Sequence, residues 1–254
     1  MTIQYCSDLH LEFPENENWL KEHPIIPAGE VLVLAGDIVP FVQMEQYGWF
    51  FDKLSQQYEA VYWLPGNHEY YGSYIDERSG SFKEAIRANV WLLNNEAVQH
   101  GNMTLICSTL WSFISPATEW DIAKGMVDYR CIRKHGERFR PIHTFRLHKT
   151  CRQFITQAVT AAKGPICVAT HHVPTFMHYP AAYRHSLLNE AFATELFPFI
   201  EQSHIAAWLY GHHHHNTPAF TIGETTMLTN QLGYVRAGEQ NGFDPHAALA
   251  IDSR

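Results

Sequence analysis

The chain has 254 residues, of which 46% are hydrophobic and 17% are charged, and its formal net charge is −8. This composition excludes a disordered chain and a coiled coil, and the length suits one large domain or two small ones. The negative charge argues against a general nucleic-acid binder, and no window reaches the roughly 18 uninterrupted apolar residues of a membrane span.

Cysteine usage and the N-terminal stretch both bear on the compartment. Five cysteines occur singly, without a Cys-x-x-Cys pair, which favours reduced thiols over a disulfide framework. The opening MTIQYCSDLHLEF lacks the basic region and the apolar run of a secretory signal. We therefore expect a cytoplasmic protein with no membrane partner.

Short apolar runs recur along the chain, and most of them end in a polar cluster. Their content of Val, Ile and Tyr and the Gly or Pro that bounds them are typical of buried strands. The predicted strands are residues 3–6, 31–34, 60–64, 105–107, 166–169, 206–210, 219–222, 225–229 and 247–251. The predicted helices are residues 44–58, 143–163 and 189–202, the last interrupted or restarted at Pro198. This mixture predicts an α/β domain of two packed sheets with helices outside.

Positive charge is concentrated in one part of the chain. Residues 124–152 hold nine of the 18 lysines and arginines but only two acids. The overlapping residues 112–142 show no clear period, which predicts a basic, loop-rich insertion within a single domain spanning 1–254. Two interpretations stay open: the segment is a solvated surface, or its Arg130, Arg133 and Arg140 help to bind an anionic substrate.

Metal-competent side chains follow five of the predicted strands. They are Asp8, His10, Asp37, Asn67, His68, His171, His212 and His214. One such residue is usually a turn or helix cap, but ligands of open α/β sheets bind beyond the carboxyl ends of the strands. In extended segments, residues two apart point to the same side. We therefore expect Asp8 and His10 to reach one ion, and the same of His212 and His214.

Glycine and the ligand chemistry add to this pattern. Gly36, Gly66 and Gly211 each precede a candidate ligand by one residue, and glycine permits a sharp turn and a close backbone approach. The candidate ligands offer oxygen and nitrogen but no sulfur. Such a set suits Mn, Fe or Zn in a five- or six-coordinate site better than a closed structural zinc.

The order of these clusters resembles the signature of the calcineurin-like metallophosphoesterase family. The blocks D-x-H, G-D, G-N-H-E, H and G-H-x-H occur in that order between residues 8 and 214. The resemblance implies a two-sheet αββα sandwich with a dinuclear metal centre at the carboxyl ends of the strands. It also implies a metal-dependent phosphoric ester hydrolase, acting on a phosphomonoester or a phosphodiester substrate.

The resemblance further implies two divalent metal ions with three ligands each and one shared ligand. The first set is Asp8, His10 and His214. The second set is Asn67, His171 and His212. Asp37 would bridge the two ions, with each of its carboxylate oxygens facing one of them. The pair of ions would activate a water molecule for in-line attack on phosphorus.

Two neighbouring residues receive different roles. The resemblance implies that His68 does not coordinate and instead assists the leaving group, which makes it the predicted catalytic residue. Glu69 is expected to be a structural hydrogen-bond acceptor. The predicted substrate contacts are Asn67, His68 and Arg130.

Runs of adjacent histidines leave alternatives open. The side chains of His171 and His172 diverge, so only one is expected to coordinate, and the family pattern favours His171. In the run 212–215, His213 would face away or line the cleft.

A non-catalytic metal-binding interaction protein on the same fold is the alternative function. Such a protein should lack a ligand or the histidine of the third block, whereas here every position is filled. Measuring hydrolysis of nitrophenyl phosphate esters with added Mn discriminates between the two functions.

Overall fold

The structure, a computed structural model, describes residues 1–251 and has fourteen strands and seven α-helices in that range. The strands are β1 (Thr2–Cys6), β2 (Val31–Ala35), β3 (Ala60–Leu64), β4 (Phe82–Arg87), β5 (Val90–Asn94), β6 (Glu96–His100), β7 (Met103–Ser108), β8 (Arg133–Lys134), β9 (Glu137–Arg138), β10 (Ile166–Thr170), β11 (Ala207–Tyr210), β12 (Phe220–Ile222), β13 (Thr225–Thr229) and β14 (Ala248–Ala250). The helices are α1 (Pro14–Glu22), α2 (Gly48–Gln57), α3 (Glu119–Gly125), α4 (Asp128–Cys131), α5 (Pro141–Ala161), α6 (Asn189–Phe192) and α7 (Phe197–Glu201).

Twelve of these strands form two six-stranded sheets of the same design. The first has the order β14-β1-β2-β3-β5-β4, and the second has the order β12-β13-β11-β10-β7-β6. In each sheet the four central strands are parallel, and each edge strand is antiparallel to its neighbour. Five of the eight central strands, β2, β3, β7, β10 and β11, are buried at every residue, as expected for parallel strands covered on both faces.

Alternate side chains of the strands build separate core layers. Val33 of β2 and Leu105 of β7 lie in the apolar layer between the two sheets. Leu32, which points the other way, packs in a cluster with Phe51 of α2. The outer face of the second sheet packs on α5 and α7. The predicted two-sheet αββα sandwich is therefore confirmed.

The nine strands predicted from sequence are all present, with ends that differ by two residues at most. The helix predicted at 44–58 begins as a 3-10 turn over Phe41–Tyr47 and becomes α-helical at Gly48. The helix predicted at 189–202 consists of two helices, α6 and α7, which confirms the predicted restart at Pro198. This proline lies in the first turn of α7, where a missing N–H costs nothing because that group has no partner within the helix.

The basic residues 112–142 contain α3, α4 and the two-residue strands β8 and β9. Their apolar side chains Ile122, Tyr129 and Ile132 are buried in the same core cluster as the first sheet. This packing fixes the segment beside the carboxyl ends of the central strands. The longest helix, α5, has 21 residues, and within residues 1–251 no helix combines the length and the apolar character needed to cross a membrane.

Candidate metal centre

The predicted ligands lie on loops that follow β1, β2, β3, β10 and β11. Because these strands are parallel within their sheets, the loops meet at one edge of the sandwich. They form two neighbouring groups, each with three side chains whose nitrogen and oxygen atoms lie within 4.8 Å of one another. We refer to these as the first triad and the second triad.

The first triad consists of Asp8, His10 and His214. Nε2 of His214 lies 3.0 Å from Nε2 of His10 and 3.3 Å from Oδ1 of Asp8. The other ring nitrogens face carboxylates: Nδ1 of His10 lies 3.3 Å from Oε1 of Glu12, and Nδ1 of His214 lies 2.7 Å from Oε2 of Glu239. These outer contacts fix the two imidazole rings with their Nε2 atoms pointing inward.

The second triad consists of Asp37, His171 and His212. Nε2 of His171 lies 3.1 Å from Nδ1 of His212 and 3.3 Å from Oδ2 of Asp37. Nδ1 of His171 lies 2.9 Å from the carbonyl oxygen of Ala35, and Nε2 of His212 lies 3.3 Å from that of Ala191. The contact with Ala35 joins a loop of the second sheet to the end of β2 in the first sheet.

One oxygen of Asp37 lies between the two triads. Its Oδ2 is 3.3 Å from Nε2 of His171 and 3.9 Å from Nε2 of His10. Its Oδ1 accepts a hydrogen bond of 2.9 Å from the backbone N–H of His68. The sequence predicted that each oxygen would face one ion, whereas the structure presents the same oxygen to both triads.

The hydrogen bonding of the imidazoles fits a bound cation. All four rings direct one nitrogen outward to a carboxylate or carbonyl oxygen, so the protons belong there and the inward nitrogens present lone pairs. Two lone pairs about 3 Å apart repel unless a positive charge lies between them. Histidines that bind metals hold their outer nitrogens in this way, and the nitrogen and oxygen donors suit divalent transition metals.

The carboxylates create a negative potential at both triads. Burial alone would lower the pKa of His171, but the nearby Asp37 carboxylate outweighs it and raises the pKa to about 9. At His214, burial is outweighed by hydrogen bonds to Asp8 and Glu239, which raise the pKa to about 10. A field that attracts a proton also attracts a divalent cation, so protons and metal ions compete for these nitrogens.

Five of the predicted ligands have a left-handed backbone. The φ angles are 56° at Asp8, 47° at His10, 55° at Asp37, 81° at His212 and 49° at His214. The expectation of extended segments was therefore wrong, and His212 and His214 join different triads. Left-handed non-glycine residues are uncommon and cluster at functional sites, because the surrounding structure must compensate their cost.

Close backbone approach at two glycines confirms the expectation from their position before candidate ligands. A Cβ atom at Gly66 would overlap Oδ1 of Asp37 and lie 2.6 Å from Nε2 of His171. A Cβ atom at Gly211 would lie 2.5 Å from Oδ2 of Asp8. Both glycines leave the space that the carboxylates and the imidazole ring occupy.

His68 belongs to neither triad and has partners at both ring nitrogens. Nδ1 lies 2.8 Å from Oε1 of Glu12, and Nε2 lies 3.3 Å from the hydroxyl oxygen of Tyr234. Its ring stacks on Tyr71 with 4.1 Å between the centroids. Glu12 thus contacts both His10 and His68, and these three residues form a third close group. Glu12 was not predicted from the sequence, where its one signal is its position two residues after His10.

Asn67 lies beside the second triad with its amide orientation fixed. Its Oδ1 is 3.2 Å from Nε2 of His171, and its Nδ2 donates a hydrogen bond of 2.9 Å to Oδ1 of Asp128. The hydroxyl of Tyr71 donates to the same oxygen at 2.7 Å. Because Asp128 accepts from the NH₂ group, the amide oxygen faces His171. Asp128 was not predicted as part of the site, although it lies two residues before Arg130.

A cavity of about 860 Å³ opens beside both triads and is lined by Asp37, Asn67, His68, His212 and His214, among others. The predicted substrate contact Arg130 is not among its lining residues. Arg130 is exposed, and its Nη1 donates to the carbonyl oxygen of Lys124 at 2.9 Å.

The expectation that Arg130 faces the substrate is not met because α4 turns its other residues inward. Asp128 and Tyr129 are buried in this four-residue helix, and successive helical residues point about 100° apart. Arg133 and Arg140 also lie outside the cavity lining, whereas Arg236 lies within it.

The adjacent histidines separate as expected. His171 belongs to the second triad, whereas the buried His172 has its Nδ1 3.3 Å from the carbonyl oxygen of Thr109 and packs on Trp111. His213 lines the cavity, one of the two alternatives left open.

Glu69 connects the loops that carry the second and third sequence blocks. Its carboxylate accepts hydrogen bonds from the backbone N–H groups of Asp37, Ile38 and Gly66 at 2.6–2.9 Å, and from the indole of Trp63 at 3.0 Å. Burial and the Asp37 carboxylate raise the pKa of Glu69 to about 8. Four N–H donors nevertheless leave no acceptor for a carboxyl proton, so these contacts stabilise the ionised form.

Replacing Glu69 with glutamine is expected to lower the free energy of unfolding by about 2–4 kcal/mol, because the new NH₂ group would face two N–H donors in a buried site. Urea unfolding of the variant measures the loss. Glu59→Gln, at an exposed position, is the matched control and should leave the midpoint unchanged. An unchanged midpoint for Glu69→Gln would mean that the side chain is protonated in the native protein.

Comparison with known proteins identifies the family. The family model described as calcineurin-like phosphoesterase matches residues 1–216. The chain belongs to the calcineurin-like phosphoesterase family. This membership supports metal-dependent hydrolysis of phosphate esters as the class of activity and implies divalent metal ions.

Two similar proteins cover almost the whole calcineurin-like chain. Uncharacterized protein L509 of Acanthamoeba polyphaga mimivirus is 34% identical over 280 residues, covering 98% of this chain and 96% of the viral protein. The crystal structure of phosphopantetheinyl hydrolase (PptH) from Mycobacterium tuberculosis superposes with a TM-score of 0.70 at 18% identity. It covers 94% of this chain and 92% of the mycobacterial one. At that identity the likeness shows a shared fold alone.

Proposed function

We propose that this calcineurin-like phosphoesterase hydrolyses phosphate esters with two divalent transition-metal ions, Mn, Fe or Zn. The first ion would be held by Asp8, His10 and His214. The second would be held by Asn67, His171 and His212. Asp37 would be shared between them. When bound, two such ions lower the pKa of a water molecule to give a nucleophile and orient the phosphate for in-line attack.

The observation that carries this proposal is the position of Asp37 Oδ2, which lies 3.3 Å from Nε2 of His171 in its own triad and 3.9 Å from Nε2 of His10 in the first triad. A site for one isolated ion has no need of a second triad that uses the same carboxylate oxygen. The cavity beside both triads gives a substrate access to them, as a catalytic centre requires and a closed structural site does not.

The ester's leaving group would face His68. This side chain lines the cavity without joining either triad, and the carboxylate of Glu12 holds its Nδ1 at 2.8 Å. With Nδ1 held there, a proton for a departing alkoxide, or a hydrogen bond to it, would come from Nε2, which lies 3.3 Å from the hydroxyl oxygen of Tyr234. Asn67 and His68 are the substrate contacts that we retain, and Arg236 replaces Arg130 as the candidate cationic contact.

The discriminating experiment is hydrolysis of nitrophenyl phosphate mono- and diesters by protein loaded with Mn. Turnover of either ester supports the proposal and separates monoesterase from diesterase activity. No turnover of either ester by a protein that holds two metal ions would favour the alternative, a metal-binding interaction protein. A phosphopantetheinyl ester belongs in the substrate panel because the mycobacterial neighbour is named for that group.

The native protein is expected to bind two equivalents of transition metal per chain. After supplementation with Mn or Fe, elemental analysis should approach that value, because two triads share one carboxylate. Asp37→Asn should lower the content of both ions, since it removes the shared charge. Asp52→Asn is the matched control, because the Asp52 side chain is 57% exposed and pairs only with Arg87. A maximum of one equivalent at saturating metal would overturn the dinuclear proposal.

The state of the cysteines supports a proposal for the cellular compartment. All five thiols are free, and four of them are buried. This pattern agrees with a reducing compartment, and we keep the cytoplasm as the proposed location.

A further inference from the structure

The cavity beside the triads has the dimensions of a small-molecule site. Its volume of about 860 Å³ falls within the range of roughly 300–1,000 Å³ that is typical of ligand pockets. The triads occupy one side of it, so a phosphate bound there leaves most of the volume to the rest of the ester. The other walls therefore determine which organic group the site accepts.

These walls are mainly apolar and come from distant parts of the chain. Val42 and Tyr71 lie in the connections that follow β2 and β3 of the first sheet, and Val127 precedes α4. Leu188 precedes α6, and Phe192 is its last residue. A methyl group at Gly125 would lie 2.7 Å from Cδ2 of Leu188, so the glycine allows α3 and the segment before α6 to approach closely. The walls are thus part of the packed structure.

Several apolar side chains of the walls have no covering group within residues 1–251. Val42 is 57% exposed, Val127 is 43% exposed and Tyr183 is 53% exposed, and all three line the cavity. Apolar surface gathered around a cavity commonly marks a binding site, because a ligand can remove it from water. An apolar group on the substrate would supply that cover.

The charged residues that line the cavity limit the charge that the organic group of the substrate can carry. Among the lining residues that the structure describes, Arg236 is the only lysine or arginine. Its guanidinium lies 5.1 Å from the ring of Phe13 and 5.7 Å from that of Tyr234. The acids Glu12 and Glu239 line the same cavity. A nucleic-acid backbone or a chain of phosphates needs a row of cations, which these walls do not offer.

We infer that the substrate is a phosphate ester whose organic group is bulky, uncharged and largely apolar. Its phosphate faces the triads, and its organic group lies against Val42, Val127 and Leu188. This inference rests on the proposed function, because the phosphate is placed at the proposed metal centre. It selects esters of long-chain or aromatic alcohols over sugar phosphates, polyphosphates and nucleic acids.

Binding of alkylphosphonates to the Mn-loaded protein tests the inference without turnover, because ester hydrolysis does not cleave a P–C bond. Ethyl-, butyl- and hexylphosphonate carry the same charge and differ only in apolar length. Burial of each methylene contributes about fourfold in affinity when complete. Calorimetry should therefore show at least a tenfold rise from the ethyl to the hexyl compound. Equal affinities for the three compounds would overturn the inference.

A charge on the apolar wall should remove this dependence on length. Val42→Asp is expected to lower the ratio of hexyl to ethyl affinity at least fivefold and to change ethylphosphonate binding little. Ile26→Asp is the matched control, because Ile26 is 44% exposed and lies outside the cavity lining, and it should keep the wild-type ratio. If Val42→Asp does not fold, Val42→Thr, of the same shape, should lower the ratio in the same direction. A wild-type ratio in folded Val42 variants would place the alkyl chain elsewhere and overturn the inference.

The outcomes separate this inference from the proposed function. If the protein hydrolyses nitrophenyl esters but its affinity for alkylphosphonates does not depend on chain length, the proposed hydrolase activity stands and the apolar substrate pocket is rejected. If alkylphosphonate affinity rises with chain length, Val42→Asp abolishes that rise and the protein has no hydrolytic activity, the apolar pocket stands and the proposed reaction is rejected.

Discussion

Replacing His68 with alanine is expected to slow hydrolysis of esters with poor leaving groups by about 10²–10⁴-fold, the usual contribution of a positioned proton donor. The metal content should stay near that of the wild type, because His68 belongs to neither triad. Activity on nitrophenyl esters should fall much less, since nitrophenolate departs without a proton. Rates on an alkyl ester and a nitrophenyl ester, measured with the same preparation, test the role directly.

The controls for His68→Ala distinguish three roles. His204→Ala removes an imidazole that is 88% exposed and should leave both rates unchanged. Equal losses on the two esters would show that His68 positions the phosphate or acts electrostatically rather than as a proton donor. Loss of a metal ion would show that the third sequence block is assigned wrongly.

Replacing Gly66 with alanine is expected to displace Asp37 and His171, because the added methyl group would occupy their space. The variant should lose at least one equivalent of metal. Its kcat should fall by about 10²-fold or more, the loss that a displacement of about 1 Å typically causes at a reaction centre. Metal analysis and steady-state kinetics of the purified protein check both effects.

A matched glycine separates this effect from a general loss of backbone freedom. Gly48→Ala places a methyl group at the first residue of α2, where it meets only the flexible end of Arg87 at 3.3 Å. This control should retain full metal content and activity. A Gly66→Ala protein with two metal ions and normal kcat would contradict the close approach at Gly66.

Seven of the eight central strands were predicted, most of them because they are apolar on both faces. The eighth, β5, was missed although four of its five residues are buried. β3, with the sequence AVYWL, is buried at all five residues, and such runs stand out from any polar surroundings. β4, with the sequence FKEAIR, has no fully buried residue and lies at a sheet edge, so it gave no apolar signal. α1 escaped prediction for a related reason, because only Asn16 and Leu20 of its nine residues are buried.

The triads could be predicted because a short sequence block carries each ligand. The acids that contact the candidate ligands could not be predicted, because each contact depends on a distant or sharply turned segment. An example is the 2.9 Å hydrogen bond from Asn67 to Asp128. The others are Glu12 and Glu239. The interpretation of Arg130 relied on local charge. Charge density does not show which way a side chain points, and α4 turns Arg130 outward.

The position of Asp37 has a thermodynamic consequence. In the proposed dinuclear centre one carboxylate oxygen would serve both ions, so an ion at the first triad would change the charge of a ligand of the second. The two affinities would then be coupled, and linkage requires the coupling to be reciprocal: the factor by which the first ion alters binding of the second equals the factor in the opposite direction. A titration curve for either metal would therefore describe the pair, and no affinity would belong to one triad alone.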